Sequence, residues 1–227
     1  MTDKRGRGAA WTVVRLLPVI LTLSACGGAP APEALQSDYA AARAATEAGN
    51  LAEAADAYRR LIGQYSETRF GPSLRLEYAY VLLYADDVAG AKREAEAVLT
   101  GQTDPETRAR AELVAAIAAH EQVKVFLASR PGYERAMTAA RATYARLEGV
   151  ARDIPEIDPD NVILARLRAL REDIAGLELQ KMRAEIAAGQ IAIAAERAAY
   201  ILSEFGDTER IAAERAYLTN VAQAAGS

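Results

Sequence analysis

The sequence is poor in the residues that build catalytic and metal sites. It contains one histidine, His120, and one cysteine, Cys26, among 227 residues. No nucleophile with an adjacent base, no metal-spaced His/Cys cluster and no phosphate-binding loop is visible. We therefore predict that the protein is not an enzyme and has no cofactor or metal site. A lone histidine is interpreted as a half-buried polar residue.

Strand patterns and positive charge are also scarce. High Ala, Arg, Glu and Leu content, few prolines and the absence of alternating strand patterns predict an all-α fold. Removing residues 1–25 takes away four of the 27 Lys and Arg and one of the 31 Asp and Glu, leaving a formal charge of −7. An acidic chain lacks the basic footprint that neutralises phosphates, so no nucleic-acid partner is expected.

The N-terminus has the pattern of an export signal. Basic residues precede a short apolar run at 16–23, which is far below the roughly 20 residues of a membrane-spanning helix. Leu23-Ser24-Ala25-Cys26 follows and resembles the lipoprotein box, so residues 1–25 are predicted to be a lipoprotein signal peptide. The alternative is an ordinary secretory signal cut near Ala25, which would leave a free thiol.

The resemblance to bacterial lipoproteins implies that Cys26 carries a diacylglyceryl group and an amide-linked acyl chain such as palmitate. Several acyl chains anchor a protein far more firmly than one. Gly27, in place of the Asp that retains lipoproteins in the inner membrane, implies an outer-membrane location facing the periplasm. Residues 26–34 are predicted to be a flexible tether because they alternate Ala and Pro without helical periodicity. The folded body is then expected to span 35–225.

One short phrase occurs three times in this body, and each copy lies between two helical patterns. Its first position needs a left-handed backbone, which Gly adopts freely and Asp tolerates. Its last position is a small residue that fits where two helices cross. The three predicted hinges are Gly49 with Ala54, Asp86 with Ala91, and Gly189 with Ala194.

The spacing of the three hinges indicates a repeat. The first two alanines are 37 residues apart and the last two are 103 apart, close to one and three periods of the roughly 34-residue tetratricopeptide repeat. We therefore predict a tetratricopeptide-repeat α-solenoid of about five helix pairs, with an irregular helical bundle as the alternative.

The middle of the body diverges from this pattern. A helix is predicted from 105 to about 128, followed by a degenerate hinge at 130–136 with Ala136 at the crossing position. Residues 153–161 are predicted to be a surface loop, because they lack the central Gly and terminal Glu of a calcium loop. Residues 161–188 are either one long helix or two that meet near Ala175. A last helix should then cover the open end of the stack.

Two tyrosines are candidates for ligand contact. Tyr80 and Tyr84 are four residues apart and share one face of the first helix of repeat two. The inner helices of such arrays line a groove, where tyrosines offer a broad and stiff contact area for a peptide. The alternative is that both tyrosines pack between helices.

The two ends of the body together resemble the BamD family, the tetratricopeptide lipoproteins of the outer-membrane protein assembly machine. The resemblance is carried by the lipoprotein box and by two further patterns. These are Gly49-x-Leu-x-Glu53-Ala54-x-x-x-Tyr58, and the stretch from Arg166 through Gly189 and Arg197 to Phe205-Gly-Asp207-Thr208. The chain departs from the family after its repeats, where Tyr65-Ser66 and Phe205-Gly206 replace the usual Tyr-Pro.

This resemblance implies a non-enzymatic, lipid-anchored scaffold. Its N-terminal repeats would bind unfolded outer-membrane protein precursors, and its C-terminal repeats would bind the BamA-like β-barrel assembly subunit. Arg197 matches an arginine of the family's last repeat and is a candidate contact there; the alternative is a solvated arginine on an outer helical face. A different function is also open, that of an adaptor lipoprotein for pilus secretin assembly or envelope division.

Overall fold

The structure is a computed structural model, and it describes residues 32–153 and 161–224. Within these ranges the chain forms helices and no strands. The helices are α1 (Glu33–Glu47), α2 (Leu51–Tyr65), α3 (Gly71–Tyr84), α4 (Val88–Thr100), α5 (Pro105–Ala128), α6 (Tyr133–Asp153), α7 (Val162–Ala187), α8 (Ile191–Phe205) and α9 (Glu209–Gln223). Cys26 and most of the predicted loop at 153–161 lie outside the described residues.

The helices stack in chain order. Each helix packs against the next one, and contacts also join α3 to α5, α5 to α7 and α7 to α9. This is the arrangement of a repeat solenoid, in which each unit touches its neighbours. The predicted all-α tetratricopeptide-like solenoid is therefore confirmed. The described residues hold four helix pairs and a single closing helix, α9, where about five pairs were expected.

Three of the turns inside the helix pairs have one geometry. Gly49 and Gly189 have φ of 75° and Asp86 has φ of 63°. In each turn the next backbone N–H donates to the carbonyl five residues earlier: Asn50 to Ala45, Asp87 to Leu82 and Gln190 to Glu185, all at 2.9 Å. This bond is the mark of a Schellman C-cap, which requires a left-handed residue at the position of Gly49, Asp86 and Gly189.

The small residues of the repeated phrase lie where the paired helices meet. Ala54, Ala91 and Ala194 have no solvent-exposed surface, and neither has Ala136 in the divergent third pair. A larger side chain at any of these positions would have to displace the partner helix, since helix axes at a crossing are only about 8–10 Å apart.

The turn of the third helix pair, between α5 and α6, lacks this capping bond because of two residues. Arg130 adopts the left-handed conformation, with φ of 53°, but Pro131 follows it. Proline has no N–H to donate to the preceding helix, so the capping bond of the other three turns cannot form.

Two boundaries are resolved by the structure. α1 begins at Glu33, two residues before the expected start of the folded body at 35, because Pro32 holds an extended backbone (φ −53°, ψ 141°) and an acidic residue follows in the first turn. α7 is one continuous helix of 26 residues that passes through Ala175 without a break. Across the described ranges, no helix is both long and apolar enough to cross a membrane.

Candidate functional site

A buried ionic network joins the last three paired helices, and Arg197 is at its centre. The Arg197 guanidinium donates two hydrogen bonds of 2.8 Å to the Glu185 carboxylate. Its third nitrogen donates to Glu178 Oε2 at 2.6 Å. Arg197 lies on α8 and both carboxylates lie on α7, so one side chain ties the fourth helix pair together.

Both carboxylates are removed from water. Glu178 is 2% exposed and Glu185 is 5% exposed, whereas the Arg197 side chain keeps 22% of its surface exposed. Carboxylates are seldom buried to this extent unless they are paired and hydrogen-bonded. Arg197 therefore supplies charge compensation inside the fold, which excludes the solvated arginine considered as the alternative.

Helix α6 contributes the remaining members of the network. The Tyr133 hydroxyl donates to Glu178 Oε2 at 3.0 Å, and Arg141 Nη2 donates to Glu178 Oε1 at 3.1 Å. The same Arg141 nitrogen lies 2.9 Å from the Tyr200 hydroxyl on α8. Burial, together with the nearby Glu178 carboxylate, raises the pKa of Tyr133 to about 12, so its hydroxyl remains a donor at neutral pH.

A second polar cluster lies near the other end of the stack, across α1, α3 and α5. Burial raises the pKa of Glu77 on α3, while Arg43 on α1 and Arg110 on α5 oppose this effect. Glu77 therefore lies within electrostatic reach of cations on both neighbouring odd-numbered helices. Because α3 and α5 are in direct contact, Glu77 and Arg110 lie on adjacent helices of the stack.

The two predicted groove tyrosines adjoin this cluster. Tyr80 and Tyr84 follow Glu77 by about one and two turns of α3, and both are partly buried. Burial raises the pKa of both hydroxyls. Tyr78, in contrast, faces α2, where its hydroxyl accepts a hydrogen bond from Arg59 at 3.1 Å. Tyr80 packs against the buried apolar residues shared by α3, α4 and α5, and Glu77 acts electrostatically on its hydroxyl. Both tyrosines lie in the second helix pair, whereas Arg197 lies in the fourth.

The sequence patterns did not identify the acidic residues of either cluster as candidate site residues. Glu178 and Glu185 are seven residues apart, on the same stripe of α7 as the buried Met182. Charged residues at core positions of a helix are the signal that could have found them. Their cationic partners lie on other helices, 12 to 37 residues away in the chain, and no local pattern points to them.

The single histidine lies inside α5. His120 is 3% exposed, more deeply buried than the half-buried residue expected, because α5 packs against four other helices. Its nearest carboxylate is Glu121, 3.7 Å from Nδ1. In the part of the chain that the structure describes, no three His, Cys, Asp or Glu side chains are grouped to hold a metal ion.

Comparison with known proteins agrees with this architecture. A family model described as outer membrane lipoprotein, YfiO, matches residues 33–227, which include every helix of the stack. None of the curated proteins compared with the chain matches it. Since the family model covers most of the sequence, the chain belongs to the YfiO family of outer membrane lipoproteins.

Proposed function

We propose that this lipoprotein is a non-enzymatic adaptor of outer-membrane β-barrel protein assembly. The observation that carries the proposal is the match of the outer membrane lipoprotein family over the entire helical stack. A stack of this kind presents extended surfaces for other proteins. In this proposal Cys26 is lipidated, the anchor holds the protein in the outer membrane, and the folded body faces the periplasm.

The second polar cluster, across α1, α3 and α5, is the proposed site for unfolded barrel precursors. Tyr80 and Tyr84 offer aromatic area, and Arg43, Glu77 and Arg110 offer charges of both signs beside it. An extended precursor segment carries free backbone groups and alternating side chains, and partly buried aromatic and polar groups can bind both.

The C-terminal end of the stack is the proposed site for the BamA-like barrel subunit. Arg197 acts there by fixing the positions of α6, α7 and α8 through Glu178 and Glu185. A rigid surface loses less entropy when a partner binds, so such a network favours a stable contact.

Photo-crosslinking in cells tests the precursor site. A photoreactive phenylalanine analogue is placed at Tyr80, at Tyr84 and, as the matched control, at Tyr217, which is 41% exposed on α9. The proposal predicts crosslinks from positions 80 and 84 to newly exported barrel precursors and none from position 217. Equal crosslinking from all three positions, or capture of a pilus secretin or division protein instead, would contradict it.

A further inference from the structure

We propose that Glu77 determines the charge preference of the precursor site. In this inference Glu77 is a positioning residue. It holds Arg43 and Arg110 and offsets their charge, so that the site takes apolar and uncharged polar segments and does not select acidic ones. The inference rests on the proposed function, because it concerns the same site.

Glu77 is a counter-charge that two arginines from different helices share. It lies partly buried on α3, within electrostatic reach of Arg43 on α1 and of Arg110 on α5. Water and salt screen a partly buried carboxylate less than an exposed one. The attraction between Glu77 and each guanidinium group is therefore stronger than that of a surface carboxylate at the same distance.

Each arginine also has a carboxylate partner on its own helix, and both of these partners are exposed. Arg43 pairs with Glu47 at 3.1 Å and Arg110 pairs with Glu106 at 2.5 Å, and the two glutamate side chains are 63% and 72% exposed. Exposed pairs of this kind contribute little and are screened by salt. A carboxylate of a ligand can therefore replace Glu47 or Glu106 far more readily than Glu77.

Two buried hydroxyl groups also lie near Glu77. Tyr58 on α2 has no exposed surface and Tyr39 on α1 is 8% exposed, and among the described residues neither hydroxyl has a hydrogen-bond partner. Buried hydroxyls usually have one. Because the Glu77 carboxylate acts electrostatically on both hydroxyls, it is surrounded by hydrogen-bond donors from α1 and α2. Donors of this kind favour the ionised carboxylate.

The balance of charges explains what the site would select. Arg43 and Arg110 are offset by one partly buried carboxylate and by two exposed ones, so the cluster is not cationic as a whole. Loss of the Glu77 charge would leave both arginines with exposed, screened partners only, and acidic segments would then be attracted. With Glu77 present, the site stays open to the alternating apolar and polar side chains of barrel strands.

Peptide binding to the full-length lipoprotein in detergent tests this role. The probes are two fluorescent peptides of about ten residues, the length of a membrane-spanning strand. One peptide alternates Val or Tyr with Ser or Thr, and the other has Asp in place of Ser. Fluorescence anisotropy gives the Kd of each peptide for the wild type, Glu77→Gln, Glu77→Asp and Glu106→Gln. The last variant is the matched control, because it removes a charge beside the same Arg110 at an exposed position.

We expect Glu77→Gln to lower the Kd of the acidic peptide about fivefold or more and to change that of the uncharged peptide less than about twofold. Glu77→Asp keeps the charge and should bind both peptides as the wild type does. Glu106→Gln should change the Kd of the acidic peptide less than about twofold. An unchanged ratio of the two Kd values in Glu77→Gln, or an equal effect of Glu106→Gln, would overturn the inference.

Melting temperatures and one more substitution keep the test decisive. If Glu77→Gln is unfolded at the assay temperature, Arg110→Gln replaces it and should raise the Kd of the acidic peptide more than that of the uncharged one. Equal changes for both peptides would then overturn the role of Glu77 alone. A wild type that binds neither peptide would contradict the precursor site itself.

Discussion

Removal of the Arg197 charge should destabilise the C-terminal end of the stack strongly. In Arg197→Met the aliphatic stem is kept and the guanidinium is lost. Glu185 then loses both of its 2.8 Å hydrogen bonds from Arg197, whereas Glu178 keeps its bonds from Tyr133 and Arg141 at 3.0 and 3.1 Å. Glu185 is therefore the carboxylate that is left buried and unpaired.

The size of the effect follows from burial. Breaking a buried ion pair by removing one partner costs roughly 3–5 kcal/mol. Because 22% of the Arg197 side chain is exposed, water can partly reach the vacated position, and we expect the lower end, about 3 kcal/mol. For a chain of this size such a loss lowers the melting temperature by roughly 6–12 °C.

A double-mutant cycle separates the charge from the packing. Urea unfolding followed by far-ultraviolet circular dichroism would be measured for Arg197→Met, Glu185→Gln and the double variant. The neutral amide no longer needs a cation, so the double variant should recover at least about 1 kcal/mol relative to the sum of the single losses. A loss below about 1 kcal/mol for Arg197→Met, or strictly additive losses, would refute the network as a source of stability.

Four further substitutions can be followed by the same unfolding assay. Asp86→Gly should raise the free energy of unfolding by about 0.5–1 kcal/mol and Gly189→Ala should lower it by about 1 kcal/mol, because φ is positive at both positions. Changes of the same sign in the two variants would refute the shared turn geometry. Ala54→Leu should cost about 1–3 kcal/mol or more by overpacking a crossing with no free surface, and a neutral result would contradict that crossing. His120, with Lys124 and Arg166, lowers the pKa of Glu121 to about 2. The ionised Glu121 carboxylate therefore contributes its full share of the folding stability above the unfolded-state pKa of about 4.3, and this share is lost as the pH falls towards 2. With solvent screening, the wild type should lose roughly 1–2 kcal/mol more than Glu121→Gln between pH 5 and pH 2, and parallel pH curves would contradict this pairing.

Much of the fold could be predicted because its determinants are local. A left-handed residue followed five positions later by Ala specifies a turn and a helix crossing without reference to the rest of the chain. That is why the hinges at Gly49, Asp86 and Gly189 agree with observed backbone angles. The start of α1 at Glu33 was missed because the prolines before it suggested a tether, although Pro32 is well suited to precede a helix.

The candidate sites were less accessible to sequence reasoning, because their chemistry is made by pairing across helices. Arg197 was identified as a candidate through family resemblance, but its hydrogen bonds to Glu178 and Glu185 depend on the crossing of α7 and α8. The role of Arg141 depends on a contact with Tyr200 that spans 59 residues.

The most direct test of the proposed function is to deplete the protein in its own bacterium and measure the content of β-barrel proteins in the outer membrane. An adaptor of barrel assembly predicts that barrel levels fall soon after depletion and recover when the wild-type protein is supplied. Recovery should be weaker with a variant that carries Tyr80→Ala together with Tyr84→Ala. Barrel levels that remain unchanged while the lipoprotein disappears would contradict the account.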